Sequence, residues 1–398
     1  MNELRLPEAG EFASLKKNYL FTEVRRKTAA FLEENGGEVI NLGVGDVAYP
    51  LPPAVTEALV SASLEMGDNV RFKGYPPEGG YPFLRRAIVS YYEGLGVKIK
   101  EEEVFVGDGA KTDVSSFAEV FERTEALVTD PVYPVYADSS VLLGNAVKFL
   151  RGNKSNGFLP PPPRGDDKPR IIYLCSPNNP SGGAYDRAGL KEWVDYALFT
   201  GSVIFFDAAY SAFAGEGIPR SVFETDGAKE CCVEFCSFSK FAGFSNLRCS
   251  WVTVPEGLKC RKTQVIALWR RRQSTKFNGV SYPVQRAAEA ALSPEGRREC
   301  EKTVSIYKSN AERISAFLGS RGVWHCGGKN SPYIWLECPE RLSSEEFFDG
   351  LLNNCRIVGT PGNGFGSAGE GFFRLSCFAR EEVVAEALER LGDCPYFR

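Results

Sequence analysis

The chain has 398 residues, with 47 basic and 51 acidic side chains and a net charge of −4; 43% of it is hydrophobic and 25% charged. That balance suits a globular protein of two or three domains and lacks the basic surplus that a nucleic-acid or anionic-membrane partner would want. No apolar run approaches the roughly 18 residues of a membrane helix, and the single histidine, His325, leaves little room for metal sites or Ser-His-Asp chemistry.

The opening MNELRLPEAGEF has no apolar core of a signal peptide, so a cytoplasmic location is the expectation. The 12 cysteines form no C-x-x-C pair and lie in apolar stretches, which predicts buried free thiols. An arm and then a helix over 21–34, ending at Gly36-Gly37, are expected first. From about residue 100, short apolar runs alternate with helical patterns: VFV (104–106), ALVT (126–129), IIYLC (171–175), SVIFF (202–206), CCVEFC (231–236) and CSWVTV (249–254). These runs are apolar throughout, as in strands covered on both faces, and predict a mainly parallel mixed sheet flanked by helices. FLPPPPRGDDKPR (158–170) reads as a surface loop. After about 290 the pattern changes to a long charged helix (294–319), SPYIWLEC, a helix (343–354), a glycine-rich loop and GFFRLSCF. The expected organisation is an α/β protein: 1–48 an N-terminal arm and part of a small domain, 49–290 a large domain, 291–398 a smaller α+β domain.

Ligands of a parallel sheet sit at the C-terminal ends of its strands. Here those ends carry Gly109-Ala110-Lys111, Tyr133, Asn179, Asp207 with Tyr210, and Ser237 to Lys240. Lys240 has three readings. It is a solvated lysine, or the lysine of an S-x-x-K hydrolase motif (without the S-D-N and K-T-G companions), or a Schiff-base lysine whose burial makes its amine nucleophilic toward an aldehyde. If that aldehyde is pyridoxal 5′-phosphate, the remaining strand-end residues match its needs. Asp207 would face the pyridine nitrogen, Tyr210 and Asn179 the ring hydroxyl, and Tyr133 the ring face. Arg248, Ser237, Ser239, Ala110 and Lys111 would take the phosphate. Arg374, in FFRLS, would offer a fork to a substrate carboxylate. Singly, each has a bland alternative: Asp207 a turn residue, Tyr133 core, Arg374 a surface strand arginine.

SPNNPSG, DAAY, SFSK with Arg248 eight residues after Lys240, and FFRLS together resemble the fold-type I pyridoxal-phosphate aminotransferases of class I/II over nearly the whole chain. The resemblance implies Lys240, Asp207 and Tyr210 as catalytic residues. It also implies backbone contacts to the substrate carboxylate from Gly45, and a homodimer in which Tyr75 reaches the neighbouring subunit's phosphate. NYLFTEV (18–24), INLGVGDVAYPLP (40–52), GYPPEGGYPFLRRA (74–87), GDGAKTD (107–113), DPVYPVYADSS (130–140), FNGVS (277–281) and GGKNSPYIW (327–335) are similar to the branch acting on LL-diaminopimelate. That likeness implies reversible amino transfer between L-glutamate/2-oxoglutarate and tetrahydrodipicolinate/LL-diaminopimelate, in lysine and peptidoglycan-precursor synthesis. Tyr19, Gly45, Glu78, Lys111, Tyr133, Asn179, Asn278 and Arg374 would then line the substrate site, with Glu78 and Asn278 coming from the partner subunit. Other class I/II aminotransferases (aromatic, alanine or aspartate type), C–S lyases and non-catalytic regulators remain alternatives. Asn246-Leu247 before Arg248, and Cys249 after it, depart from the family pattern. The G-x-G-x-x-G at 364–369 is expected to be a loop over the carboxylate site, RRR (270–272) a solvated helix face, and His325 part of a turn.

Overall fold

The computed structural model describes residues 10–15, 19–339 and 342–397. The first nine residues of the expected arm, and Asn18 of NYLFTEV, lie outside the described residues. In chain order the strands are β1 (Ile40–Asn41), β2 (Val104–Gly107), β3 (Ala126–Asp130), β4 (Val147–Arg151), β5 (Ile171–Cys175), β6 (Val203–Asp207), β7 (Cys232–Ser237), β8 (Ser250–Thr253), β9 (Lys259–Cys260), β10 (Thr263–Gln264), β11 (His325–Gly327), β12 (Tyr333–Glu337), β13 (Ile357–Val358), β14 (Thr360–Pro361) and β15 (Phe372–Ser376). A seven-stranded sheet runs in the order β2-β8-β7-β6-β5-β3-β4. Strands β7, β6, β5, β3 and β4 pair in parallel, and β8 runs antiparallel to both its neighbours.

Burial on both faces explains the unbroken apolar runs. In β5, Ile172 and Leu174 enter one core with Trp193 of the helix Arg187–Thr200. Ile171, Tyr173 and Cys175 enter the opposite core with Phe117 and Trp269. Successive side chains point to opposite faces, so a strand covered twice must be apolar at every position. The covering helices carry their own boundary signals. Asp186 accepts a hydrogen bond from Gly189 N–H at 2.8 Å to start Arg187–Thr200, and Gly201, at φ 69°, ends it.

A second, four-stranded antiparallel sheet, β11-β12-β15-β14, packs against the helices Ser344–Cys355 and Glu381–Asp393. Parallel pairing of Ile40 with Ile357 and of Asn41 with Val358 joins the early chain to this unit. The 27-residue helix Pro294–Ser320 starts at a Ser293 cap and packs on elements of both layers.

Several expectations need correction. Edge strand β4 was not anticipated, because VKFLR is half exposed and lacks an apolar run. Phe158 opens the proline-rich segment but is 1% exposed, packed against Trp335 and Phe372, so that end of the loop is core. His325 sits in strand β11, pairing with Leu336, rather than in a turn. Two cysteines are not free: Cys355 and Cys394 form a disulfide, their Cα atoms 6.0 Å apart, where two helices of the smaller unit end side by side. Of the other ten, Cys260 is exposed and Cys326 half-buried. Arg272 is not simply solvated; it pairs with Glu119 and lies over the Trp269 ring. Among the described residues no helix is long and apolar enough to cross a membrane, and no cluster suited to a metal ion occurs.

Candidate active site

The C-terminal ends of β3, β5, β6 and β7 open into a cavity of about 330 Å³ closed on its far side by β12 and β15. Gly45, Ala110, Lys111, Tyr133, Asn179, Asp207, Tyr210, Ser237, Ser239, Lys240, Arg248 and Arg374 all line it. Tyr19 stands just behind, its hydroxyl donating to Tyr133 Oη (3.3 Å) and receiving Lys111 Nζ (3.4 Å). Three expected residues are not brought in. Tyr75 is 87% exposed, Glu78 accepts from Ser274 Oγ at 2.6 Å, and Asn278 is exposed on a segment packed beside Pro76.

Lys240 follows the last residues of β7, and its ammonium donates to the Gly45 carbonyl. Its pKa falls to about 8, mainly because burial penalises the charged form, against an opposing pull from Asp46; Arg374 and Arg248 lower it further. Asp207 ends β6 with both carboxylate oxygens engaged: Tyr136 Oη donates to Oδ2 at 2.5 Å and Ala209 N–H to Oδ1 at 2.9 Å. Burial raises its pKa, and these two hydrogen bonds oppose the rise.

Arg374, in β15, is completely buried. Its Nη1 donates to Asn179 Oδ1 (2.7 Å), its Nη2 to Gly43 O (2.6 Å) and Thr360 Oγ1 (3.3 Å), and the guanidinium lies 4.4 Å from the Tyr333 ring. Its Nε is buried without a hydrogen-bond partner, and no described carboxylate forms an ion pair with it. A buried, unneutralised guanidinium is costly, and an anion from outside offsets that cost. A second guanidinium, Arg248, also lines the cavity. The helix Ala110–Phe117 points its first N–H groups toward the cavity beside Arg248. Two glycines keep the walls open: a Cβ at Gly109 would fall 1.9 Å from Arg248 Nη2, and one at Gly45 would fall 2.1 Å from Tyr333 Oη.

Several wall residues were not expected: Phe21, Val44, Asp46, Tyr136, Ala209, Ser245 and Tyr333. Tyr333 Oη shares a 2.8 Å hydrogen bond with Tyr210 Oη. Tyr136 had a legible signal. It lies three residues after Tyr133, in the first turn of the helix Val135–Leu142, and the two rings meet edge to face at 5.8 Å. The glycine-rich segment forms two short turns, Gly362–Phe365 and Ser367–Gly369, and Phe365 lies 4.9 Å from the Arg374 guanidinium. It therefore flanks Arg374.

One cavity thus joins a depressed-pKa amine, a buried carboxylate and two guanidinium groups, Arg248 and Arg374. The chain matches the family described as aminotransferase class I and II over residues 37–391. It belongs to the class I and II aminotransferases. This aminotransferase is similar to LL-diaminopimelate aminotransferase of Agathobacter rectalis, 46% identical over 96% of this chain and 98% of that one. Among solved structures it is similar to L,L-diaminopimelate aminotransferase from Chlamydomonas reinhardtii (TM-score 0.93, 36% identity, 98% and 99% of the two chains covered). It is also similar to substrate-bound BacF from Bacillus subtilis (TM-score 0.87, 30% identity, 98% of each chain). The aminotransferase has the fold-type I architecture of these neighbours, which accounts for the cavity's position at the strand ends.

Proposed function

We propose that this aminotransferase is a pyridoxal 5′-phosphate enzyme that moves an amino group reversibly between L-glutamate/2-oxoglutarate and tetrahydrodipicolinate/LL-2,6-diaminopimelate. The carrying observation is the buried Arg374 guanidinium, without an ion-pair partner among the described residues, in one cavity with Lys240 and Asp207. The substrate assignment rests on the likeness to the Agathobacter and Chlamydomonas enzymes.

The donor set fits the cofactor. Lys240 supplies the amine for its aldehyde, Asp207 an acceptor for a protonated ring nitrogen, Tyr210 and Asn179 donors for its ring hydroxyl, and Tyr133 a face for its ring. Ser237, Ser239, Arg248 and the first N–H groups of the helix Ala110–Phe117 suit its phosphate. When bound, the cofactor supplies a sink for the electron pair left on the substrate α-carbon as the proton departs.

The remaining work falls to the chain's own groups. Arg374 binds the α-carboxylate, with the Gly45 backbone and Asn179 beside it, and so orients the α-carbon toward Lys240. Lys240 Nζ accepts the α-proton, a task suited by a pKa near the operating pH. Asp207 stays ionised against a cationic ring nitrogen, because a nearby opposite charge offsets its burial. Tyr19 and Lys111 flank the mouth where the substrate's side chain would extend.

Tyr75, Glu78 and Asn278 act across a homodimer in this proposal. None of them lines the cavity of its own subunit; the segments carrying them meet where Gly279 packs beside Pro76 and Ser274 Oγ donates to Glu78, and nearby in sequence Val70 (92%), Phe72 (60%) and Tyr75 (87%) are exposed. Exposed apolar side chains grouped in this way suit coverage by a second copy. Glu78 would then meet the distal ammonium of LL-diaminopimelate in the partner's site.

Incubation of the enzyme with LL-diaminopimelate and 2-oxoglutarate tests the substrate assignment. Glutamate should form. Brisk turnover of tyrosine or alanine with none of LL-diaminopimelate would contradict it.

A further inference from the structure

The proposed phosphate cradle at the helix Ala110–Phe117 is held by a buried chain that none of the residues assigned above explains. Gly109 N–H donates to Ser250 Oγ at 2.8 Å, and Ser250 Oγ donates to Asp113 Oδ2 at 2.5 Å. Ser250 is 0% and Asp113 4% exposed. Asp113 belongs to the first turn of the helix, its own N–H donating to Gly109 O at 3.1 Å. Ser250 opens β8, two residues after Arg248, and pairs across the sheet with Gly107.

Ser250 therefore ties two cradle halves that come from distant parts of the chain. One is the turn Gly109-Ala110-Lys111. The other is Arg248, which adopts a left-handed backbone (φ 60°) and lays its guanidinium against the Gly109 α-carbon. The space beneath is made for this chain. A Cβ at Gly107 would fall 2.3 Å from the Asp113 carboxylate oxygens. Without the Ser250 hydroxyl, Gly109 N–H and Asp113 Oδ2 would each lose a buried partner, and only the backbone pairing of Gly107 with Ser250 would remain to hold the turn beside the Arg248 segment.

We propose that Ser250 and Asp113 are positioning residues for the phosphate end of the cofactor: they lock the helix start to the Arg248 segment and thereby set phosphate affinity. The proposal rests on the pyridoxal-phosphate reading and adds to it a role for two residues that touch no ligand. Burial raises the Asp113 carboxyl to about 7, so near neutral pH it is only partly ionised and adds limited repulsion beneath an anion.

The test compares pyridoxamine 5′-phosphate with pyridoxamine, neither of which bonds covalently to Lys240. Dissociation constants are measured by fluorescence on cofactor-stripped protein for the wild type, Ser250→Ala, Asp113→Ala and Ser250→Thr. Ser250→Ala and Asp113→Ala should each weaken pyridoxamine 5′-phosphate about tenfold, the effect of one lost buried hydrogen bond. Pyridoxamine, which lacks the phosphate, should bind unchanged, and Ser250→Thr should restore most of the affinity. Equal weakening of both ligands would overturn the proposal, since it indicates general damage to the fold. Unchanged binding of pyridoxamine 5′-phosphate in both Ser250→Ala and Asp113→Ala would also overturn it. If the wild type itself binds no pyridoxamine 5′-phosphate, it is the cofactor assignment that fails, and the positioning role falls with it.

Discussion

Tyr136 Oη donates to Asp207 Oδ2 across 2.5 Å at the floor of the cavity, where both residues are largely buried. The tyrosine ring also stacks on Tyr173, at a centroid distance of 5.3 Å and an interplanar angle of 14°, which fixes the direction of its hydroxyl. Asp207 is thus held in one orientation at the strand end. Removing the donor should expose how much that orientation contributes. Tyr136→Phe keeps the stacking and deletes only the hydrogen bond. Loss of a donor to a buried carboxylate costs about 1–3 kcal/mol. kcat should fall by roughly 10- to 100-fold with KM nearly constant, since the effect lies on the electron sink and not on substrate recognition. Steady-state kinetics of the variant check this.

Lys240 gives a pH dependence with a defined sign. Its folded pKa of about 8 lies below the ordinary lysine value, so the neutral amine gains population as pH rises. The rate of cofactor attachment to stripped protein should climb about tenfold per pH unit below that value and flatten above it. Absorbance stopped-flow between pH 6 and 9.5 measures it. A rate still climbing at the upper limit would indicate an amine with an ordinary pKa.

Arg374 makes hydrogen bonds to Asn179, Gly43 and Thr360 and still has a buried, unpartnered Nε. Arg374→Lys retains the charge but loses the planar fork. Charge-assisted hydrogen bonds contribute about 1.5–3 kcal/mol each, so kcat/KM should fall by roughly 100-fold. Circular dichroism and thermal melting of the variant separate this loss from misfolding.

The proposed shared-site homodimer predicts complementation. Lys240→Ala and Tyr75→Phe subunits are each impaired, for different reasons. Mixed after partial denaturation and refolding, they should regain activity, because one site of each hybrid combines an intact Lys240 with an intact Tyr75. No recovery, in a mixture shown by mass spectrometry to contain hybrids, would place Tyr75 outside the partner's site.

Much of this arrangement is legible in the residues, for physical reasons. IIYLC becomes β5 over the same five residues because a strand buried on both faces has no polar alternative. Lys240, Asp207 and Asn179 were legible as polar groups at the ends of apolar strands, Arg374 as a guanidinium inside the strand FFRLS, and all four line one cavity. What failed to show follows from tertiary packing. Phe158 looked like a loop residue until the smaller sheet supplied Trp335 and Phe372 to cover it. Cys355 and Cys394 lie 39 residues apart, and only the meeting of two helix ends brings them together. Ser250 looked like an ordinary strand residue, because its partners Gly109 and Asp113 are far away in sequence. Tyr75, Glu78 and Asn278 carry no local signal; resemblance to the family pointed to them, and within one subunit they lie away from the cavity.

The account stands most directly on Lys240 as the residue that holds the cofactor. Borohydride treatment of the purified enzyme, followed by proteolysis and peptide mass spectrometry, locates the attachment point. The label should sit on Lys240, and the Lys240→Ala protein should carry none. A label on another lysine, or an unlabelled and colourless wild-type protein, would contradict the account.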